Sequence, residues 1–73
     1  MSYEYSKLLG RIKEKCGSQA AFARAMNISE RTVVLKLSNR RDWKQSEIDK
    51  SCAVLDIAKS DIPQYFFTPN VQY

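Results

Sequence analysis

Basic side chains are concentrated in the first part of this sequence, and they point to phosphate binding. Residues 1–44 hold ten lysines and arginines against four acids, a net charge of +6, whereas residues 45–73 hold two lysines against four acids, a net charge of −2. Guanidinium and ammonium groups neutralise phosphate, so the asymmetry favours a polyanionic partner such as nucleic acid. The alternative interpretation is a charged surface that interacts only with solvent.

The residue types that carry out most enzyme reactions are missing or scattered. The sequence has no histidine, no glycine-rich phosphate loop and no metal-ligand spacing. We therefore expect no catalytic residues, no metal site and no cofactor. Cys16 and Cys52 stand at apolar helical positions and are expected to be small buried thiols, although in principle they can pair.

The sequence carries no sign of membrane association. No apolar run reaches the roughly 18 residues of a membrane span, and the N-terminus lacks the order of a signal peptide. The basic residues do not share one amphipathic helix with exposed aromatic residues, which argues against binding to a membrane surface. We therefore expect an intracellular protein, and 73 residues suffice for one small domain.

Apolar spacing predicts an all-α fold, a compact bundle of four to five short helices. The first helix carries apolar residues at positions 5, 8, 9, 12 and 16 and ends at Gly17. Ser18, Ser29 and Ser46 are placed to cap the second, third and fourth helices. We predict a helical domain over residues 1–67 and a C-terminal tail over residues 68–73.

The second and third helices, between Gln19 and Leu37, are separated by only three residues. That arrangement fits a helix-turn-helix, in which the second of the two helices enters the major groove of DNA. Ala23 supplies a small residue for the helix crossing, Asn27 tolerates the left-handed conformation of the turn, and Val33 anchors the apolar face. The opposite face of that helix carries Arg31, Leu35 and Ser38.

The stretch QAAFARAMNISERTV resembles the helix-turn-helix of temperate-phage repressors and Cro proteins, in the lambda-repressor-like superfamily. Gln19 takes the first position of that motif, Ala23 the small position, Ile28 the end of the turn and Val33 the buried position. The stretch WKQSEI is similar to small Cro-like proteins of phages of Gram-positive bacteria. Some of those look like antirepressors, or modulators of repression, that bind the phage repressor. The resemblance implies a regulator of transcription in the cytoplasm of a bacterial host.

Two residues depart from the family pattern. Asn27 stands where glycine is usual, which is a mild change because asparagine accepts the same conformation. Lys36 stands three positions after Val33, where an apolar residue is usual. Either the third helix is rotated, or Val34 and Leu35 are exposed.

The helix-turn-helix interpretation predicts a set of base contacts: Glu30, Arg31, Val34 and Ser38. Arg31 can grip a guanine with two hydrogen bonds, or it can be an ordinary solvated arginine. Glu30 can accept from a cytosine amino group, or it can act only on the helix dipole. Val34 can touch either a thymine methyl group or a partner protein.

Predicted contacts to DNA phosphates lie at helix ends and in the loop after the third helix: Gln19, Arg40, Arg41, Lys44 and Ser46. At a helix N-terminus, the Gln19 amide is placed to donate to a phosphate. The alternative is that Gln19 is a surface polar residue and that the others form a merely basic loop. Trp43, in the same loop, is expected to pack against the third and fourth helices and not on a base.

Three consecutive aromatic residues near the C-terminus, Tyr65, Phe66 and Phe67, cannot all turn inward from one helix. Some of them are expected to contact another chain, for which we predict a two-fold homodimer, or a groove on the domain's own surface. The alternative is that they close the small core over the first helix. Together with Val34 and Leu35 they form the predicted partner interface.

Two functions follow from the sequence. The first is a Cro-like regulator that binds a double-stranded DNA operator. The alternative is an antirepressor that holds the phage repressor protein through Val34 and Leu35 or through the tail.

Overall fold

The computed structural model describes residues 2–70, which form five α-helices and no strand. The helices are α1 Ser6–Cys16, α2 Gln19–Met26, α3 Glu30–Leu37, α4 Gln45–Leu55 and α5 Ile62–Phe66. A short 3-10 turn, Lys59–Asp61, leads into α5. The predicted all-α class is confirmed. Within residues 2–70, no helix has the length and apolar character that a membrane span requires.

Side chains cap the helices of the central pair as the sequence predicts. The Ser18 hydroxyl accepts a hydrogen bond from the Ala21 N–H at 3.1 Å, and the Ser29 hydroxyl accepts one from the Thr32 N–H at 3.0 Å. Asn27 ends α2 with φ of 59°, the left-handed conformation. These local bonds explain why two eight-residue helices can stop and restart within three residues.

The start of α4 differs from the prediction that Ser46 caps it. The helix begins at Gln45, and its N-cap residue is Lys44. The Lys44 N–H donates to Glu47 Oε1 at 2.8 Å, so a carboxylate three residues later satisfies the backbone N–H of the N-cap residue. Ser46 instead lies exposed in the first turn.

The core lies where α1, α2, α4 and α5 meet, with α3 packed mainly on α2. Its fully buried apolar side chains come from all five helices: Leu8, Ile12, Phe22, Val33, Leu55 and Phe66. Burial of each such side chain stabilises the fold by about 1.5–3 kcal/mol. Leu9, which the spacing placed on the buried stripe of α1, is instead exposed. Cys52 is a buried free thiol and Cys16 a half-buried one.

The N-terminal segment ties the loop after α3 to the segment after α5. The Tyr3 N–H donates to Asn39 Oδ1 at 2.9 Å, and Asn39 Nδ2 donates to the Tyr3 carbonyl at 2.8 Å. The Glu4 N–H donates to the Thr68 carbonyl at 2.8 Å. Residues 68–70 therefore lie beside the N-terminus. The domain boundary at residue 67 stays a prediction, and residues 71–73 of the predicted tail lie outside the described residues.

Candidate functional site

One surface, the α3 face, consists of Arg31, Val34 and Ser38 on α3 and the two arginines that follow, Arg40 and Arg41. The spacing of three and four residues puts the first three on one side of the helix. The backbone N–H groups of residues 40 and 41 both donate to the Leu35 carbonyl, at 2.9 and 3.2 Å. The chain thus folds back over the end of α3 and brings both arginines to it. All five side chains are exposed.

The arginines of the α3 face have no acidic partner among residues 2–70. The ion pairs in that part of the chain involve Arg11, Lys15 and Lys36. Three guanidinium groups are therefore available to an outside acceptor, such as a carboxylate or phosphate. Glu30 occupies the first turn of α3, where its carboxylate suits the helix dipole.

The residues that we predict to contact phosphates differ in their exposure to solvent. Lys44 and Ser46 are exposed at the start of α4, whereas Gln19 is half-buried at the first position of α2. Their roles as phosphate contacts, like the base contacts predicted on α3, stay predictions.

Lys36, which stands where the sequence pattern usually has an apolar residue, is buried. Its side chain is only 2% exposed, so α3 buries Lys36 on the same side of the helix as Val33. Lys36 Nζ lies 2.7 Å from Glu47 Oε1 and donates to the Asp42 carbonyl at 2.8 Å. Val34 is consequently 47% exposed and Leu35 half-buried.

The carboxylate that pairs with Lys36 is held in its charged form. Burial raises the pKa of Glu47, but hydrogen bonds from Lys36 and from the Lys44 N–H outweigh burial and leave the pKa below its usual value. The pair therefore connects α3, the following loop and α4 through charged groups at neutral pH.

Trp43 packs inside the protein, as expected, although its aromatic neighbours come from α2 and α5. Its ring centroid lies 6.5 Å from that of Phe22 and 5.3 Å from that of Phe66, edge to face in the second case. Lys36 Nζ lies 5.8 Å from the centre of the same ring. Trp43 is half-buried among these contacts.

The second surface, here called the aromatic groove, consists of two cavities that both have Trp43 and Phe67 in their walls. One half, of about 420 Å³, is lined also by Tyr3, Tyr5, Asp42 and Phe66. The other half, of about 370 Å³, is lined also by Gln45, Ile48, Asp49 and Ile62. The sequence does not predict this groove, because its walls come from segments far apart in the chain.

The three consecutive aromatic residues take three different environments. Phe66 is 1% exposed and fills the core, which corrects its inclusion in the predicted partner interface. Tyr65 is half-buried, with Lys7 Nζ 4.9 Å from its ring centre. Phe67 is 46% exposed and meets Tyr3 edge to face at 5.6 Å. Only Phe67 of the three offers a large exposed apolar surface.

Comparisons with known proteins agree over nearly the whole chain. A family model described as "Protein of unknown function (DUF739)" matches residues 1–69. The solution structure of the modulator of repression of the temperate bacteriophage TP901-1 from Lactococcus lactis is 56% identical, with a TM-score of 0.83. The match covers 99% of this chain and 97% of that one. No curated protein matches the sequence.

The sequence resembles both Cro proteins and modulators of repression, and the matches bear on these two resemblances differently. The similarity to modulators of repression is confirmed, whereas the matching family model is not one of Cro proteins, so the Cro part stays a prediction. The chain belongs to the DUF739 family, and it is similar over nearly its full length to the modulator of repression of phage TP901-1.

Proposed function

We propose that the protein is a phage modulator of repression, an antirepressor that acts by binding the repressor protein of its phage in the cytoplasm of the bacterial host. The observation that carries the proposal is the 56% identity with the TP901-1 modulator over nearly the full length of both chains. This is the function that the sequence analysis kept as its alternative. The proposal involves no catalysis and no cofactor.

The surface chemistry is compatible with a protein partner. Val34 and Phe67 are large apolar side chains that remain about half exposed. Val34 lies on the α3 face with Arg31, and Phe67 lines cavities that Asp42 and Asp49 also line. Apolar centres within polar rims are typical of protein interfaces. The available partner contacts are therefore Val34, Leu35, Tyr65 and Phe67.

The test is a direct binding measurement. Purified protein is titrated by calorimetry into the repressor of phage TP901-1, and operator retention by the repressor is then measured as the protein is added. We expect a saturable complex and progressive loss of operator binding. Absence of heat and unchanged operator retention at tens of micromolar protein would reject the proposal.

Direct DNA reading is a second candidate, favoured by the three unpaired arginines of the α3 face. In that case the base contacts come from side chains of α3 and its C-terminal end: Glu30, Arg31, Val34 and Ser38. The predicted phosphate contacts are Gln19, Arg40, Arg41, Lys44 and Ser46. Selection from a random duplex pool at physiological salt should enrich a short motif, palindromic if the protein binds as a homodimer. Binding through about four phosphates should give a log–log salt slope near about −3.6, at about −0.9 per phosphate. A pool without enrichment would eliminate this candidate.

A further inference from the structure

We propose that the outer side of α1 is a further interaction surface, and that its partner is an amphipathic helix of another protein that places an apolar side chain beside aspartate or glutamate. This surface, the α1 strip, consists of five exposed residues: Ser6, Leu9, Gly10, Lys13 and Gly17. Their spacing of three, four, seven and eleven residues puts them on one side of the helix. None of the partner contacts named for the proposed function lies on α1, so the inference goes beyond that function.

The apolar part of the α1 strip is Leu9 together with the cavity beside it. Leu9 is 38% exposed, although its neighbour Leu8 is fully buried. The cavity has a volume of about 280 Å³, and its lining comes from α1 and from the junction between α1 and α2: Leu9, Ile12, Lys13, Gly17, Ser18 and Gln19. An apolar side chain that enters the cavity is removed from water against Leu9 and Ile12.

Gly10 has no role inside the fold that explains its presence. It stands at an exposed position in the middle of α1, where glycine makes a helix less stable than alanine does. Beyond the local helix backbone, a β-carbon at this position would meet no other atom within 4 Å, so packing within the protein does not require glycine. A missing side chain on a helix lets another backbone approach closely. Gly10 therefore fits a partner helix that lies along α1.

Positive charge lies at the end of the α1 strip that meets α2. Lys13 lines the cavity and forms no ion pair within residues 2–70. Helix α2 begins at the same cavity with Gln19, and the positive end of its dipole adds to this charge. The neighbouring acid, Glu14, pairs with Arg11 instead. A carboxylate one helical turn from an apolar side chain is complementary to Lys13 and Leu9, which are also one turn apart.

A second copy of this chain and a nucleic acid suit the α1 strip less well. Residues 6–16 carry four basic side chains against one acid, so two α1 helices placed side by side repel each other. A phosphate gains from Lys13 but gains nothing from Leu9 or Ile12, because neither side chain forms hydrogen bonds. An acidic amphipathic helix uses the apolar part and the basic part together.

The test is an NMR titration of the ¹⁵N-labelled protein with a designed peptide. The acidic probe is an acetylated and amidated peptide of about 18 residues, long enough to be helical, whose leucines recur every three and four residues between glutamates. The basic control peptide has lysine in place of every glutamate. We expect the amide resonances of residues 6–19 to shift saturably with the acidic peptide and to stay in place with the basic one.

Three variants separate the parts of the α1 strip. Leu9→Ser should raise Kd for the acidic peptide by about tenfold or more. Lys13→Gln should raise it by about threefold to tenfold and flatten its dependence on salt. Gly10→Ala should raise Tm, because alanine favours the helix, and yet raise Kd by about threefold or more, because its methyl group separates the two backbones. A glycine without a partner would give only the first of these two effects.

Two control variants match the first two in chemistry. Phe67→Ser removes an exposed apolar residue after α5, and Lys50→Gln removes an exposed lysine of α4. Both should bind the acidic peptide like the unaltered protein. Thermal unfolding verifies that all variants fold.

Several outcomes would overturn the proposal. These are no shift with the acidic peptide, equal shifts with both peptides, and a Gly10→Ala variant that binds as tightly as the unaltered protein. A short DNA duplex that shifts the same resonances when the acidic peptide does not would reassign the α1 strip to nucleic acid. A mass that rises with concentration in light scattering, and no longer does so in Leu9→Ser, would reassign it to self-association.

Discussion

The α3 face and the aromatic groove have opposite chemistry, although one loop contributes to both. Arg40 and Arg41 belong to the basic α3 face, and the next two residues, Asp42 and Trp43, line the acidic groove. The α3 face is nearly continuous in sequence, over residues 31–41. The groove combines residues 3–5, 42–49 and 62–67. The comparison teaches that a small helical domain can carry two surfaces of opposite charge by changing the sign of charge within four residues.

Lys36 connects the two surfaces, and its truncation should have the largest effect. Lys36→Ala leaves the Glu47 carboxylate without its partner and removes support from the Asp42 carbonyl. We expect the free energy of unfolding to fall by about 3 kcal/mol, the low end for a broken buried pair, because Glu47 keeps 18% of its side chain exposed. Urea denaturation of the variant and of the unaltered protein measures the difference in the free energy of unfolding.

A matched double variant separates loss of charge pairing from loss of packing. Lys36→Met with Glu47→Gln restores an apolar side chain on α3 and keeps an acceptor for the Lys44 N–H. Its stability should lie within about 1.5 kcal/mol of the unaltered protein. A double variant as unstable as Lys36→Ala would contradict the role given to the ion pair.

Arg31→Ala should alter the α3 face alone. If α3 reads DNA, loss of the guanidinium removes about 1–3 kcal/mol of discrimination at one base position. Urea stability should be unchanged. Competition binding to duplexes that differ at single positions measures the discrimination. Retention of the same preference would mean that Arg31 does not contact a base.

Asn27 tests whether the α3 face depends on the turn that precedes it. Asn27→Ala places a less tolerant residue at φ of 59° and should cost about 1 kcal/mol of stability. Asn27→Gly is the control, because glycine adopts this conformation without steric cost. Thermal unfolding compares the two. Equal losses in both variants would point to the asparagine side chain instead of the backbone conformation.

The smallest expected effect is the pH dependence of the stability that the Lys36–Glu47 ion pair contributes. The pKa of Glu47 in the fold is below its usual value of 4.5, so the unfolded chain binds the proton more readily. The contribution of Glu47 is therefore complete above pH 4.5 and is lost as pH falls through the folded-state pKa. Glu47→Gln should show a shallower decline in urea stability over that range. Parallel declines would show that other carboxylates are responsible.

Local signals made much of the fold predictable. The caps at Ser18 and Ser29 and the turn at Asn27 depend on side chains that bond within three residues, so their positions can be read from the chain itself. The prediction for Ser46 is wrong because α4 begins one residue earlier, at Gln45, where Glu47 Oε1 accepts a hydrogen bond from the Lys44 N–H.

The features that the sequence does not predict depend on tertiary contacts. The burial of Lys36 depends on Glu47, on another helix, so periodicity left its position open. The groove was not predicted because Tyr3, Trp43 and Phe67 converge only when the N-terminal segment meets the segment after α5. Phe66 is buried and Phe67 is exposed because α5 ends at Phe66 and the backbone leaves the helix at Phe67.

The bonds that join Tyr3 to Asn39 and Glu4 to Thr68 also impose an order on events during synthesis. Helices α2 and α3 can pair as soon as they leave the ribosome, since their contacts are local. One wall of the groove must wait for residues 62–67, and the N-terminal segment has no final place until Thr68 has emerged. The α3 face can therefore form before the wall of the groove that residues 62–67 supply.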